Sequence, residues 1–273
     1  MKNKKKILIL LIVIISLGLF FYGENNFISI NKINVVSNKL PENFMGYRIV
    51  HLSDLHNKSF RKNGVNLVKK VKKLNPDIIV FTGDIIDSRC YNEEISLTIM
   101  RQMVEVAPIY YVTGNHEWAS QKFNALEKSL KEIGIKVIRN SNQTIVKDDE
   151  EVYILGIDDP LNQPINSSIK ASMGKLSKDS FKILLSHRPE YISLYSKYRV
   201  DLVFSGHAHG GQIRLPFIGG LIAPGQGILP KYTSGKYTLD NTTMVVSRGL
   251  GNSIFPQRVF NRPEIIEVTL LRN

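Results

Sequence analysis

Six histidines are scattered through 273 residues, and five of them fall in short polar segments rich in aspartate, asparagine and glycine. The segments are Ser53-Asp54-Leu55-His56, Gly114-Asn115-His116-Glu117, His187 by itself, and Gly206-His207-Ala208-His209-Gly210-Gly211; a fifth, Thr82-Gly83-Asp84, has no histidine. Aspartate, asparagine and histidine are hard to borderline donors, which suit Mn²⁺, Fe, Zn²⁺ or Mg²⁺. Cys90 is the only cysteine, so neither a thiolate cluster nor an intrachain disulfide can form. One such Asp or His is ordinarily structural, but the set offers about seven donors where a structural zinc site closes with four. Seven donors point to two ions sharing one ligand. The chemistry such a pair supports is water activation. A metal lowers the pKa of bound water from 15.7 to about 7, roughly 12 kcal/mol at about 1.4 kcal/mol per unit. A general base alone contributes about 10²- to 10⁴-fold, or roughly 3 to 5 kcal/mol.

These residues need elements that bring them together. Apolar runs at Arg48 to Leu52, Asp77 to Phe81 and Ile109 to Val112 read as buried strands. Between them Val65, Val68, Val71 and Leu74, then Ile95, Ile99 and Val106, recur at roughly helical spacing. Strand, helix, strand, helix, strand argues for a parallel βαβ core. A helix is expected over Ala119 to Ile133, followed by strands at Lys136 to Ile138, Gln143 to Val146 and Glu151 to Ile157. Phe181 to Leu185 and Asp201 to Phe204 are again strand-like, with Pro189 to Tyr198 helical between them, and strands close the chain near Thr243 to Ser247 and Ile265 to Leu271. Ile33, Val35 and Val36 suggest a first strand. The expected fold class is α/β, a mixed β sandwich of two sheets flanked by helices. Each polar segment lies where a strand stops, and open α/β sheets place ligands beside the carboxyl ends of their strands. His51 lies inside a strand and reads as a packed core histidine.

The ordered pattern D-x-H, G-D, G-N-H-E, H, G-H-x-H resembles that of the calcineurin-like metallophosphoesterases, over about Ile33 to Leu271. Gly206 to Gln212, Arg248-Gly249-Leu250-Gly251 and Arg262-Pro263-Glu264 are similar to the bacterial membrane-associated branch of YkuE- and YaeI-type phosphodiesterases. The resemblance implies that Asp54, His56 and His209 hold one metal, Asn115, His187 and His207 a second, and that Asp84 bridges them. It further implies that His116 faces the phosphate and that Asp87 orients His116. Two divalent ions are expected, with manganese favoured. Arg248 is a weaker substrate-binding candidate, balanced by a structural salt bridge. The protein phosphatases carry arginine directly after the second aspartate, whereas Ser88 separates Asp87 from Arg89 here, which argues against a phosphomonoester clamp.

The N-terminus carries a different signal. Ile7 to Gly23 is an uncharged apolar run of 17 residues, preceded by Lys2, Lys4, Lys5 and Lys6. As a helix it spans roughly 25 Å, at the short end for crossing a bilayer. Phe20 to Glu24 offers no small-residue cleavage pair, and there is no twin arginine, so an uncleaved anchor is expected. The divisions are a cytoplasmic basic tail over 1–6, an anchor over 7–23, a tether over 24–30 and the metallophosphoesterase domain over 31–273, facing outward. Hydrophobic residues make up 43% and charged residues 22%, a composition that excludes a disordered chain. The formal net charge is +12, but four of those charges are the N-terminal lysines. Lys69, Lys70, Lys72 and Lys73 read as a solvated helix face; no aromatic platform interleaves with them, so no specific nucleic-acid partner is expected. The leading expectation is hydrolysis of a phosphodiester or pyrophosphate of a lipid or cell-wall precursor. A phosphomonoesterase, a nucleotide phosphodiesterase and a non-catalytic binding module are the alternatives, and the last is disfavoured because no ligand position is missing.

Overall fold

Uninterrupted apolar runs of four or five residues form the central strands, and the alternation of side chains along each strand feeds two separate cores. The computed structural model describes residues 2–60, 62–253 and 255–273. The order is α1 (Lys2–Asn26), β1 (Ser29–Val36), β2 (Arg48–Leu52), α2 (Val65–Leu74), β3 (Ile78–Thr82), α3 (Glu93–Met103), β4 (Ile109–Val112), α4 (Asn115–Ala119), α5 (Phe123–Glu132) and β5 (Lys136–Val137). It continues through β6 (Ser141–Lys147), β7 (Glu150–Gly156), α6 (Ile165–Met173), β8 (Lys182–Leu185), α7 (Ile192–Lys197) and β9 (Leu202–Ser205). Two small hairpins follow, β10 (Arg214–Leu215) with β11 (Gly219–Gly220) and β12 (Ile222–Ala223) with β13 (Gly227–Ile228), before β14 (Gly235–Leu239), β15 (Thr242–Val246) and β16 (Glu264–Leu271).

Two six-stranded sheets result, ordered β1-β16-β2-β3-β4-β5 and β14-β15-β9-β8-β7-β6. In the first, β2, β3, β4 and β5 are parallel and β16 is antiparallel to β2; in the second, β15, β9, β8 and β7 are parallel. The expected two-sheet α/β sandwich is therefore present. Ile49, Val80 and Val112 of the first sheet face Ile154, Ile183 and Phe204 of the second in a central core. Alternate residues Val50, Phe81 and Tyr111 turn outward against Leu67, Met100 and Leu126 of the helices. On the far side Leu184 and Val203 meet Ile169 of α6 and Ile192 and Tyr195 of α7. Burying each such side chain stabilises by roughly 1.5–3 kcal/mol.

Four details differ from the sequence reading. The helix expected over Ala119 to Ile133 is two helices, because Gln121 adopts a left-handed backbone at φ 58° between them. Val106 lies beyond α3, in the turn that leads to Pro108. Neither α6 nor β14 is expected from the sequence pattern. Residues 24–30, expected as a tether, are built into the domain: α1 continues to Asn26, and Ser29 already pairs with Glu264 in the sheet. The cause is Glu24, buried and accepting hydrogen bonds from Asn261 N at 2.8 Å and Arg262 Nε at 2.9 Å. Asn25 Oδ1 accepts from Arg258 N at 2.8 Å, and Phe20 meets Phe260 edge-on at 5.3 Å.

The rest of α1 is uncovered. Its residues from Ile7 to Leu17 are apolar almost throughout and exposed to the surroundings, whereas a helix of a soluble core buries such a face. It is long and apolar enough to cross a membrane.

Candidate metal centre

Strands β2, β3, β4, β8 and β9 all end at one edge of the sandwich, and the polar segments after them converge there. Asp54, His56, Asp84 and His209 present ligand atoms that lie within 4.8 Å of one another. Asp84, His187 and His207 form a second such group, and Asn115 Oδ1 is 3.2 Å from His187 Nε2. The two groups share one oxygen, since Asp84 Oδ2 lies 3.5 Å from His56 Nε2 and 3.3 Å from His187 Nε2. The seven residues singled out by sequence as metal donors are thus brought together.

The backbone is bent to achieve this. Asp54, His56, Asp84, His207 and His209 all have positive φ, between 47° and 64°. Left-handed backbone in a non-glycine residue costs on the order of 1–3 kcal/mol and collects at functional sites. Close approach explains two glycines. A Cβ on Gly206 would lie 1.9 Å from Ser53 Oγ, and one on Gly114 would lie 2.3 Å from Asp84 Oδ1. The loops are stitched to each other as well. Asp54 Oδ1 accepts from His207 N at 3.1 Å, and Asp84 Oδ1 accepts from His116 N at 2.9 Å.

Protonation follows from burial. Burial drives His56 down to about 4 and holds His207 and His209 well below the usual imidazole range, so these rings are neutral and offer lone pairs. Burial acts against ionisation of Asp84, yet the charge and hydrogen bond of His187, with His56 and His116, hold its carboxyl well below the usual carboxylate range. Burial alone would lower His187; Asp84 and Asp54 outweigh it and raise it to about 10. His187 Nδ1 donates to Thr82 O at 2.6 Å, which fixes the ring and turns Nε2 toward Asp84. His51 bonds Thr82 Oγ1 at 2.8 Å and burial pushes it to about 3, in keeping with a neutral core residue.

The donor set fits divalent cations. His56 Nε2 and His209 Nε2 face each other at 3.2 Å, and neither Nδ1 has a partner among the described residues. Two buried carboxylates carry negative charge whose desolvation costs several kcal/mol each unless a cation offsets it. Oxygen and imidazole donors without sulfur are what hard to borderline divalent ions take.

The flanking residues are less as expected. His116 stacks edge-on over His56 at 4.5 Å, but its Nδ1 accepts from Ser88 N at 3.0 Å, while Asp87 Oδ1 is 3.6 Å away. Asp87 instead accepts from Arg89 N, Nε and NH2 at 2.9, 3.0 and 2.6 Å. The short run Asp87-Ser88-Arg89 lets the arginine curl back, leaving the backbone of Ser88 nearest the ring. Arg248 is also otherwise engaged: its NH2 contacts Glu264 Oε1 at 3.1 Å and Ser29 Oγ at 2.8 Å, so the structural ion pair is the outcome for this candidate.

Three residues without an assigned role in the sequence reading complete the site. Glu117, fully buried, accepts from the backbone N–H of Asp84, Ile85 and Gly114 at 2.8, 2.8 and 2.6 Å, tying two of the donor loops together. Arg188 lies with NH1 3.3 Å from His207 Nε2 and is gripped by Asp159 at 2.7 and 3.1 Å. The signal for Asp159 was present: Asp158 and Asp159 follow an apolar strand, as the other polar segments do.

The calcineurin-like phosphoesterase family model matches residues 47–211. The chain is similar to metallophosphoesterase YkuE of Bacillus subtilis, 32% identical over 254 residues that cover 91% of this chain and 87% of the relative. Phosphodiesterase YaeI of Escherichia coli is 26% identical over 237 residues, 84% of each chain. Of solved structures, TT1561 of Thermus thermophilus shares the fold, with a TM-score of 0.51 at 15% identity over 76% of this chain and 91% of that one.

Proposed function

The chain belongs to the calcineurin-like phosphoesterase family, and from that premise we propose that it cleaves a phosphodiester or pyrophosphate at the outer face of a membrane. Family and donor set together give metal-dependent phosphoester hydrolysis; the substrate is read as a lipid or cell-wall precursor. The observation that carries this finer reading is the junction between α1 and the donor loops. Glu24 at the end of α1 accepts from Asn261 N, and Asn261 Nδ2 donates to the carbonyl of His209 at 2.7 Å. A site wired so closely to an apolar helix works where lipid-linked phosphates are.

In this reading Asp54, His56 and His209 hold one divalent ion and Asn115, His187 and His207 a second, with Asp84 shared and manganese favoured. Bound there, such ions would supply Lewis acidity toward the phosphate oxygens and would lower the pKa of water to about 7. His116 is a hydrogen-bond donor: because Ser88 N–H occupies Nδ1, a neutral ring carries its hydrogen on Nε2, from which it can hydrogen-bond to the leaving oxygen and stabilise the charge that develops there. Arg188, fixed by Asp159, binds a non-bridging phosphate oxygen and takes the anion-binding role first considered for Arg248. Arg89 is spent on Asp87, which leaves no clamp for the second charge of a monoester and favours a diester, in line with the name of the YaeI relative.

Turnover of bis(p-nitrophenyl) phosphate and p-nitrophenyl phosphate by the purified full chain with Mn²⁺ tests this. The diester should be the better substrate, and Asp84→Ala should slow it about 10³-fold or more, the several kcal/mol that metal charge stabilisation supplies. Equal rates for variant and wild type would remove the hydrolytic reading of the site; a monoester preference would remove the diester. Cys90, single and exposed, reports the side of the membrane. A membrane-impermeant maleimide should label it in intact cells, and protection until lysis would reverse the orientation.

A further inference from the structure

A second feature lies at the membrane end of the domain, away from the donor loops. A cavity of about 510 Å³ opens between the last turn of α1 and helix α2. Tyr22, Phe27 and Phe60 supply aromatic walls, and Lys69, Lys70 and Lys73 line it with positive charge. Among the described residues no acidic side chain lines it. The sequence pattern alone casts these lysines as a solvated helix face, but three of them share a concave surface with aromatic rings. Lys58 stands 5.0 Å over the Phe60 ring and Arg262 5.9 Å over Phe27, but Arg262 is paired with Glu24 and burial lowers Lys58 to about 7, so the positive charge of the cavity rests on Lys69, Lys70 and Lys73.

We propose that this cavity binds the phosphate headgroup of an anionic lipid from the leaflet into which α1 runs. Position is the first argument. The apolar run of α1 ends at Gly23, so Tyr22 and the cavity mouth fall at headgroup depth when the helix spans a bilayer. Charge is the second. Lys69 and Lys73 are four apart and Lys70 and Lys73 three apart on one flank of α2, an arrangement of like charges that destabilises a helix unless an anion offsets it. Shape is the third, since aromatic walls beside ammonium groups match a headgroup with the start of its acyl chains. The occupant is a lipid of the bulk leaflet, separate from the ester that is hydrolysed. The inference rests on α1 lying in a membrane and not on the hydrolytic reading.

Lipid retained by the purified full chain decides the matter. Protein is exchanged into mixed phosphatidylcholine and phosphatidylglycerol nanodiscs, released in mild detergent, and its bound lipid is counted by native mass spectrometry. Wild type should retain phosphatidylglycerol in preference to phosphatidylcholine. At about 1 kcal/mol per lysine near a membrane surface, the Lys69→Gln/Lys70→Gln/Lys73→Gln variant should need on the order of 100-fold more phosphatidylglycerol for equal retention. A Lys128→Gln/Lys170→Gln/Lys175→Gln variant removes the same charge from exposed positions elsewhere and should match wild type. Equal loss in both variants, retention of phosphatidylcholine as strong as that of phosphatidylglycerol, or displacement by inorganic phosphate alone would overturn the proposal. Release of wild type from membranes by carbonate would overturn it together with the anchor, while turnover of bis(p-nitrophenyl) phosphate reports on the hydrolytic reading separately.

Discussion

The two sheets meet at one site but furnish it unequally. The ends of β2, β3 and β4 bring Asp54, His56, Asp84 and Asn115, whereas β8 and β9 bring imidazoles alone, His187, His207 and His209. Both carboxylates therefore come from the first sheet, and they also accept the backbone N–H of His207 and His116. The second sheet contributes rings of which burial keeps two, His207 and His209, neutral. Imidazole comes from both sheets, since His56 stands with the carboxylates, but the negative charge of the group comes from the first sheet alone. In the proposed reading the first sheet supplies the charge that draws a cation in, and the second adds the ring nitrogens that bias which cation stays.

The sharpest way to break that division is a matched pair. Asp54→Asn keeps shape and removes charge, while His207→Gln keeps charge and removes a nitrogen. The first should cost about 10³-fold in turnover and lower the amount of manganese retained per chain; the second should shift preference from manganese and zinc toward magnesium with a smaller loss of total metal. Inductively coupled plasma metal counts after equilibration in mixed ions read both, and identical metal profiles for the two variants would erase the distinction. A smaller effect isolates His116. His116→Gln should leave two metals per chain and lower turnover by about 10²- to 10⁴-fold, least for esters with good leaving groups such as p-nitrophenol. Loss of metal in this variant would mean that His116 is a ligand. The smallest effect concerns Asp87. Since Ser88 N–H holds Nδ1 of His116, Asp87→Asn should cost less than about tenfold, the lower end of what outer partners of a site contribute. A loss as large as that of His116→Gln would return the orienting role to the carboxylate.

The residues that converge at the candidate site were legible because such residue types rarely cluster, and because each follows an apolar strand. Asp54, His56, Asp84, Asn115, His187, His207 and His209 were found by that signal, and so were the strands that carry them. What could not be read is whatever depends on a single long-range contact. The family resemblance gave Asp87 as the partner of His116, yet the curl of Arg89 onto Asp87 is a local choice with no periodic signature. Glu117 sat inside a recognised segment, but its three backbone partners come from loops some 30 residues apart in sequence. Helix α6 escaped notice because its apolar positions Ile165, Ile169 and Met173 are few and follow a polar, proline-containing stretch. The segment 24–30 read as a tether because nothing nearby could predict that Glu24 would find Asn261 and Arg262, more than 230 residues away.

That last contact governs reach. A flexible linker of seven residues would let a domain wander over roughly 15 Å, sampling headgroups at many depths. With Glu24 buried and bonded, the hydrolytic centre keeps a set stand-off from the end of the hydrophobic helix. If the substrate is lipid-borne, as proposed, its turnover should depend on how thick the bilayer is and change as the acyl chains are lengthened, while turnover of a water-soluble ester should stay indifferent.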